Sequence, residues 1–197
     1  MQALIEAIRS QGRGIGSEIV KVDSFLNHRL DTGLLFEMGE AFAQRYAGDK
    51  PDLVLTVEAS GIALALATAH ALGDIPVVFA KKAPAANQSG DMAEEKIYSF
   101  THGHECHIRV DLRYIPAGAK VLIVEDEVQT GTSVREMTEI VRALGGHVVG
   151  VGCIVDKSGG TLSLDAPFAA LYTQRVEHYS HKACPLCEAG IPLDAHG

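Results

Sequence analysis

The order of apolar and polar residues along the 197-residue chain divides it into two kinds of segment. Uninterrupted apolar runs predict strands that are buried on both faces of a parallel sheet. Apolar residues that recur every three or four positions predict amphipathic helices. The predicted strands are 52–57, 76–82, 121–124, 147–157 and 169–176. The predicted helices are 1–9, 32–47, 63–72 and 134–144. Strands and helices that alternate in this way are typical of an α/β fold.

The polar residues that follow the apolar run 121–124 predict a ligand site. Glu125, Asp126 and Glu127 come first, and Thr130-Gly-Thr-Ser133 then leads into a helix. A glycine in such a turn lets the backbone approach a ligand, and hydroxyls with free amides at a helix start bind phosphate. Carboxylates beside a phosphate cradle suit a phosphorylated sugar at the carboxyl edge of an open sheet. An ordinary strand-turn-helix unit with polar residues is the alternative.

A second strand-loop-helix unit has related chemistry. The strand 52–57 is followed by Glu58-Ala-Ser-Gly-Ile62, in which small residues make a tight turn before a helix. The next strand ends in Lys81 and Lys82. These two side chains would either be solvated or contact an anionic ligand. The polar segment 83–95 has no periodicity, and segments of this length inside a domain are usually functional or disordered. A β-hairpin of 97–100 and 108–110 follows it.

Composition limits the functional classes. A hydrophobic content of 47% with 21% charged residues predicts a soluble globular domain. The net charge of −8 argues against binding to nucleic acid, which requires a cationic face. No apolar run is long enough to span a bilayer and no signal-peptide pattern begins the chain, so we expect no membrane partner and a cytoplasmic protein. Four cysteines are too few for a disulfide scaffold of this size.

The segment 178–197 forms a separate C-terminal tail. It contains two imidazoles and two thiols, a set that can hold Zn²⁺ in number and type, at His178, His181, Cys184 and Cys187. The spacing between the pairs is shorter than in ordinary zinc sites, and His102, His104, Cys106 and His107 are a second source of ligands. A solvated tail with reduced thiols is the default interpretation.

Several of these stretches resemble known enzymes. The stretch 120–133 resembles the loop of type I phosphoribosyltransferases that binds phosphoribosyl diphosphate (PRPP), with Glu at a position where Asp is more usual. Lys21-Val-Asp-Ser-Phe-Leu-Asn-His28, Glu58–Ile62 and Tyr98-Ser-Phe-Thr101 resemble bacterial xanthine phosphoribosyltransferases. The likeness covers about 17–158. The Cys-Pro-Leu-Cys tail resembles the C-terminus of some orotate phosphoribosyltransferases instead.

This resemblance implies the type I phosphoribosyltransferase fold, a mostly parallel central sheet flanked by helices, with a small N-terminal hood at about 1–32 of a domain 1–177. The implied reaction transfers 5-phosphoribosyl from PRPP to a purine, xanthine first, in purine salvage, with Mg²⁺ bound to PRPP and a homodimeric enzyme. The segment 83–95 would be a mobile loop that closes over the site.

The resemblance also implies site residues. The catalytic pair would be Glu125 and Asp126. Val20, Asn27 and Lys157 would contact the base, although alone Asn27 is typical of a cap or turn and Lys157 of a solvated strand end. The residues that would bind PRPP are Glu58, Ala59, Ser60, Gly61, Lys81, Lys82, Gln129, Thr130, Gly131, Thr132 and Ser133.

Two alternatives stay open. The first is a phosphoribosyltransferase of the same fold whose acceptor is hypoxanthine, guanine, adenine or orotate. The second is a regulator that senses PRPP without catalysis. Such regulators normally carry a DNA-binding extension and a basic surface. The acidic composition of this chain predicts neither feature and therefore argues against a regulator.

Overall fold

The computed structural model of the chain describes residues 1–11, 13–15, 19–21, 26, 29–82, 92–99 and 104–175. The helices are α1 (Gln2–Gln11), α2 (Thr32–Tyr46), α3 (Ser60–Ala71) and α4 (Thr132–Ala143). The strands are β1 (Arg13–Ile15), β2 (Ile19–Lys21), β3 (Leu53–Val57), β4 (Val77–Lys82), β5 (Met92–Ser99), β6 (His104–Asp111), β7 (Lys120–Val128), β8 (His147–Asp156) and β9 (Phe168–Thr173). Within these ranges no helix has the length and apolar character needed to cross a membrane.

A seven-stranded sheet organises the molecule in the order β5-β6-β4-β3-β7-β8-β9. The five strands from β4 to β9 in this order pair in parallel, and β6 and β5 continue one edge as an antiparallel hairpin. The N-terminal strands β1 and β2 form a separate antiparallel pair. The prediction of an α/β fold with a mostly parallel sheet is confirmed.

The core has one layer on each face of the sheet. Buried residues of α4 pack against alternate residues of β3, β7 and β8 on one face, among them Met137, Leu55, Ile123 and Val151. The intervening strand residues, such as Val54 and Leu122, pack on the other face against α1, α2 and α3. Because both faces are covered, the central strands are continuous apolar runs, and this is the pattern from which they were predicted.

Helix α2 lies close to β8 because two glycines of the strand receive two aromatic rings. A Cβ atom at Gly150 would lie 2.4 Å from the ring of Tyr46, and one at Gly152 would lie 2.7 Å from the ring of Phe42. The buried Tyr46 hydroxyl donates a hydrogen bond of 2.6 Å to the carbonyl oxygen of Val151. Burial raises the pKa of Tyr46 to about 12.

Replacing Tyr46 with Phe is expected to lower the free energy of unfolding by about 1 kcal/mol near pH 8, because the Val151 carbonyl loses its buried donor. The raised pKa means that the fold favours the neutral phenol. This stabilisation is complete below pH 10 and is lost as the pH rises towards 12. The difference between wild type and variant in urea unfolding should therefore shrink between pH 10 and pH 12. A difference that stays constant over this range would contradict the assignment.

The structure corrects several predicted boundaries. The strand predicted at 121–124 continues through the acidic residues to Val128, and the helix predicted from 63 begins at Ser60. Residues 92–95 of the predicted mobile segment belong to β5, while 83–91 lie outside the described residues. The hairpin strands β5 and β6 are longer than predicted, because each pairs over eight residues.

Candidate active site

The order of the strands determines where a ligand can bind. The chain moves from β3 to β4 on one side of β3, and β7, β8 and β9 lie on the other side. The direction of winding therefore reverses between β3 and β7, and open α/β sheets bind ligands at the carboxyl end of such a reversal. The loops that follow β3 and β7 are the two that the sequence singled out. Both open at this point.

The loop after β7 presents a helix start. Gly131 has a φ of +75° and is the N-cap residue of α4, a left-handed backbone conformation that favours glycine. The hydroxyls of Thr130 and Thr132 lie 2.9 Å apart in a hydrogen bond. The first amides of α4 have no partner within the helix, so this turn offers several donors to an anion.

The exposed Arg135 of α4 connects this turn to the segment that precedes β9. Its guanidinium donates 2.7 Å to the carbonyl oxygen of Thr130 and 3.1 Å to that of Ser163. A Cβ atom at Gly131 would lie 2.9 Å from Leu162 of the same segment. The turn is therefore supported from behind by residues that follow β8.

The second loop is packed tightly at its base. Gly61, the second residue of α3, lies so close to β3 that a Cβ atom there would be 1.9 Å from the hydroxyl oxygen of Thr56. Ahead of it, Glu58 is half-buried, its N–H donates 3.0 Å to the carbonyl oxygen of Ala80, and the Glu58–Ala59 peptide bond is cis. The loop is held between β3, β4 and the start of α3.

The three neighbouring carboxylates have three different environments. Glu125 is 7% exposed, and its Oε1 atom accepts 3.1 Å from the Thr56 hydroxyl and 2.9 Å from the Val57 N–H. Asp126 is half-buried and Glu127 is exposed. Because the acidic residues lie within β7 and not in a loop after it, Glu125 connects β7 to β3 beneath both ligand loops. The prediction that the acids follow the end of the strand is wrong, because β7 continues through them to Val128.

The predicted basic residues are also held by the sheet. Lys81 and Lys82 are the last residues of β4 and pair with Arg109 and Ile108 of β6. The Lys81 ammonium lies 5.9 Å from the ring centre of Phe79. These two positions are at the same carboxyl edge as the ligand loops, one strand away from β3.

Lys157 was predicted at an exposed strand end, and the structure corrects this. Its side chain is 9% exposed and forms an ion pair with Glu127, whose side chain is 45% exposed. The Lys157 N–H donates 2.8 Å to the carbonyl oxygen of Val128, which fixes the lysine at the ends of β7 and β8. Glu127 was given no individual role from the sequence. The sequence pattern ends β7 at Val124, so it does not place Glu127 in a strand next to Lys157.

Comparison with known proteins assigns the family. The family model for the phosphoribosyl transferase domain matches residues 30–181, more than half of the chain. This chain belongs to the phosphoribosyl transferase family.

Named relatives of this phosphoribosyl transferase are similar over most of their length. It is 40% identical over 157 residues to the xanthine phosphoribosyltransferase of Laribacter hongkongensis, covering 80% of this chain and 83% of the relative. It is 44% identical over 157 residues to that of Heliobacterium modesticaldum, with coverage of 80% and 82%. It is 39% identical over 165 residues to that of Clostridioides difficile, with coverage of 82% and 87%.

Solved structures show the same fold. The adenine phosphoribosyltransferase of Rhodothermus marinus superposes with a TM-score of 0.70 at 20% identity, covering 88% of this chain and all of the other. The Trypanosoma brucei adenine phosphoribosyltransferase, solved with AMP, pyrophosphate and ribose-5-phosphate, gives 0.71 at 18% identity, covering 98% of this chain and 87% of the other. At these identities the likeness establishes the phosphoribosyl transferase fold alone, which confirms the predicted fold class.

The remaining predicted site residues of this phosphoribosyl transferase fall in different places. Val20 lies in β2. Asn27 lies outside the described residues, as do the tail positions at His178, His181, Cys184 and Cys187. Cys153 is fully buried in β8, and burial raises the pKa of its thiol, which disfavours the nucleophilic thiolate.

Proposed function

We propose that this phosphoribosyl transferase transfers the 5-phosphoribosyl group of PRPP to xanthine, giving the nucleoside monophosphate and diphosphate in purine salvage. The observation that carries the proposal is the identity of about 40% to relatives named xanthine phosphoribosyltransferases, over four fifths of both chains. Two helix-start turns at the same carboxyl edge of the sheet as the buried Lys157 support it. A homodimer in the cytoplasm is part of the same proposal, as are the limits 1–177 for the domain and 178–197 for its tail.

The two loops would divide PRPP between them. Gln129 to Ser133 would hold the 5-phosphate with the amides and hydroxyls at the start of α4. Glu58 to Gly61 would hold the diphosphate, with Lys81 or Lys82 supplying positive charge from the end of β4. The reversal of winding between β3 and β7 supports this division, because both turns then follow neighbouring strands at the edge where open α/β sheets bind ligands.

Displacement of the diphosphate leaves a cationic sugar, which carboxylates can stabilise by electrostatic attraction. Asp126 is the acid that we assign to this role and to the ribose hydroxyls, since it is half-buried at the carboxyl edge. Glu125 would act with it mainly by holding β3 and β7 together, because its Oε1 atom already accepts from Thr56 and Val57.

Mg²⁺ is the metal that we propose to act with PRPP. Carboxylate oxygens at a phosphate site are the donors that Mg²⁺ prefers, and it usually takes few protein ligands and several waters. Asp126 and the ribose hydroxyls that it faces would be its contacts here. The bound metal would neutralise charge on the leaving diphosphate. For the tail, the proposed Zn²⁺ set is His178, His181, Cys184 and Cys187, and zinc analysis of the purified protein tests it.

The base would be read at the neighbouring strand end. Lys157 would donate to the exocyclic oxygen of the purine, and its place at the end of β8 supports this. Asn27 would hydrogen-bond the base and Val20 would pack on it. An oxopurine other than xanthine is the second candidate acceptor. The likeness to adenine phosphoribosyltransferases shows the fold and carries no weight for adenine.

Replacing Arg135 with Gln is expected to raise the KM for PRPP about threefold to tenfold, since the Thr130 turn loses its support from Ser163. We expect kcat to change less, because the reacting atoms lie elsewhere. Steady-state kinetics with PRPP as the varied substrate measures this. Arg142→Gln on the same helix is the matched control, since Arg142 pairs only with the exposed acids Glu139 and Asp165 among the described residues. An equal rise in both variants would contradict the supporting role.

Steady-state assay with PRPP, Mg²⁺ and a panel of xanthine, hypoxanthine, guanine, adenine and orotate tests the function. We expect xanthine to have the highest kcat/KM, and Lys157→Ala to lower it by about tenfold or more through the loss of a charged hydrogen bond. If Lys157→Ala leaves kcat/KM for the preferred base unchanged, Lys157 does not contact that base as the xanthine proposal requires. Tight PRPP binding without turnover of any base would instead indicate a PRPP-sensing regulator.

A further inference from the structure

The ion pair between Lys157 and Glu127 is built from side chains of unequal exposure. The lysine is 9% exposed, whereas the glutamate is 45% exposed. A buried ammonium requires a partner, because an unpaired charge away from water is costly. Glu127 supplies that partner and still keeps almost half of its own surface open. One of its carboxylate oxygens faces the ammonium, and the exposed remainder can accept from a ligand.

Both members of the pair are fixed by backbone contacts at one end of the sheet. Glu127 lies opposite Val155 in the parallel pairing of β7 with β8. The Lys157 N–H donates to the carbonyl oxygen of Val128, the residue that follows Glu127. Behind the lysine, the buried Asp156 carboxylate accepts 2.8 Å from the Ser158 N–H and 3.0 Å from the Gly160 N–H. The donor and its acceptor are therefore held side by side.

A donor beside an acceptor matches one edge of a 6-oxopurine. The C6 carbonyl accepts a hydrogen bond and the neighbouring N1–H donates one. Adenine has the reverse order, because its C6 amino group donates and its N1 accepts. Suppose that the ammonium of Lys157 contacts the group at C6. With adenine, the ammonium would then face the C6 amino group, which is also a donor. The N1 lone pair of adenine would face the Glu127 carboxylate, which is also an acceptor. Each mismatch leaves a polar group desolvated without a partner, which is a strong basis for rejection.

We propose that Glu127 is a specificity-determining residue, which accepts from N1–H of a 6-oxopurine while it orients Lys157 towards the C6 oxygen, and so excludes adenine. This rests on the proposed function, in which Lys157 contacts the exocyclic oxygen. It assigns to Glu127 a task separate from those of Glu125 and Asp126, although the three residues are adjacent in β7. We assign Glu127 no contact with PRPP.

The test is the ratio of kcat/KM for each 6-oxopurine to kcat/KM for adenine, measured at saturating PRPP and Mg²⁺. Glu127→Gln keeps the shape of the side chain and removes its charge. We expect it to lower kcat/KM for the preferred 6-oxopurine by about tenfold or more, mainly by raising the KM for the base. The ratio of this kcat/KM to the kcat/KM for adenine should fall as a result. The KM for PRPP should stay within about twofold, because a local change confined to the base leaves uniform PRPP binding intact.

A double variant separates specificity from folding. Glu127→Met with Lys157→Met removes both charges at once, so no buried ammonium is left unpaired, and replacement of a buried pair by apolar groups is often neutral for stability. We expect it to melt close to the wild-type temperature and to lose its preference for 6-oxopurines. Glu139→Gln, which breaks the exposed pair with Arg142 on α4, is the matched control and should change neither quantity.

The outcomes distinguish the two proposals. If the wild type turns over a 6-oxopurine and Glu127→Gln keeps the same ratio to adenine within about twofold, Glu127 does not determine specificity, while the proposed function stands. If KM for PRPP and the melting temperature change and the ratio does not, the role of Glu127 is structural and the inference is wrong. If the wild type turns over no base, the proposed function fails and the inference fails with it.

Discussion

Replacing Glu125 with Ala is expected to lower the free energy of unfolding by about 2–6 kcal/mol. The carboxylate is buried, and its removal leaves both the Thr56 hydroxyl and the Val57 N–H without their acceptor. Each buried donor left unsatisfied costs about 1–3 kcal/mol. Activity should fall as well, because these contacts hold β3 against β7 beneath the two loops proposed to bind PRPP. Urea unfolding monitored by circular dichroism measures the first effect, and the base assay measures the second.

Two further variants sharpen this result. Glu125→Gln keeps an oxygen at the same place, so its loss of stability should be smaller than that of Glu125→Ala. Glu37→Ala removes an exposed carboxylate from α2 and should change stability by less than about 0.5 kcal/mol. A Glu125→Ala protein that is as stable as Glu37→Ala would show that the buried contacts with β3 are not stabilising.

Replacing Gly61 with Ala is expected to disable the loop that is proposed to bind the diphosphate. The new Cβ atom would lie 1.9 Å from the Thr56 hydroxyl oxygen and 3.3 Å from its Cβ, and Thr56 is fully buried. Neither side chain can move away, so the start of α3 must shift. Overpacking of this kind costs about 1–3 kcal/mol. A displacement of about 1 Å at a substrate-positioning loop can lower activity about a hundredfold.

Gly48→Ala is the matched control for this substitution. A Cβ atom at Gly48 meets nothing within 4 Å, and its backbone is not in the left-handed region. We expect it to leave kcat/KM unchanged and to leave stability unchanged or slightly raised. Calorimetry and the PRPP-dependent assay compare the pair of variants. If Gly61→Ala retains full kcat/KM and PRPP affinity, the tight contact at the base of this loop does not position the diphosphate.

The fold could be predicted because its central strands are buried on both faces. Such strands are apolar at nearly every position, as in 121–124 and, apart from Thr56, in 53–57, and the signal in the sequence is therefore almost continuous. Helix α2 was predicted for a related reason. Its buried positions, from Leu35 to Tyr46, recur with helical spacing, so one face of the helix could be assigned to the core.

The candidate site was predicted less completely, because side-chain roles depend on where a strand ends. The acids after Val124 read as a loop, since consecutive carboxylates are unusual in a buried strand. In the structure β7 continues through them and gives each a different neighbour. The burial of Lys157 had the same cause. A lysine at a strand end is normally solvated. The sequence around Lys157 does not show that Glu127 of the adjacent strand β7 forms an ion pair with it.

The contact between α2 and β8 also fixes the start of α2 relative to the end of β8. Tyr46 packs on Gly150 and Phe42 packs on Gly152, so the helix runs antiparallel to the strand. If the strand shifted by one residue, a ring would clash with the side chain of a residue other than glycine. From Phe42 back to Thr32 the helix rises about 15 Å. From Gly152 forward to Lys157 the strand advances about 16 Å. The two glycines therefore set the register between helix and strand, so that the start of α2 and the lysine proposed to contact the base lie in the same direction from this contact.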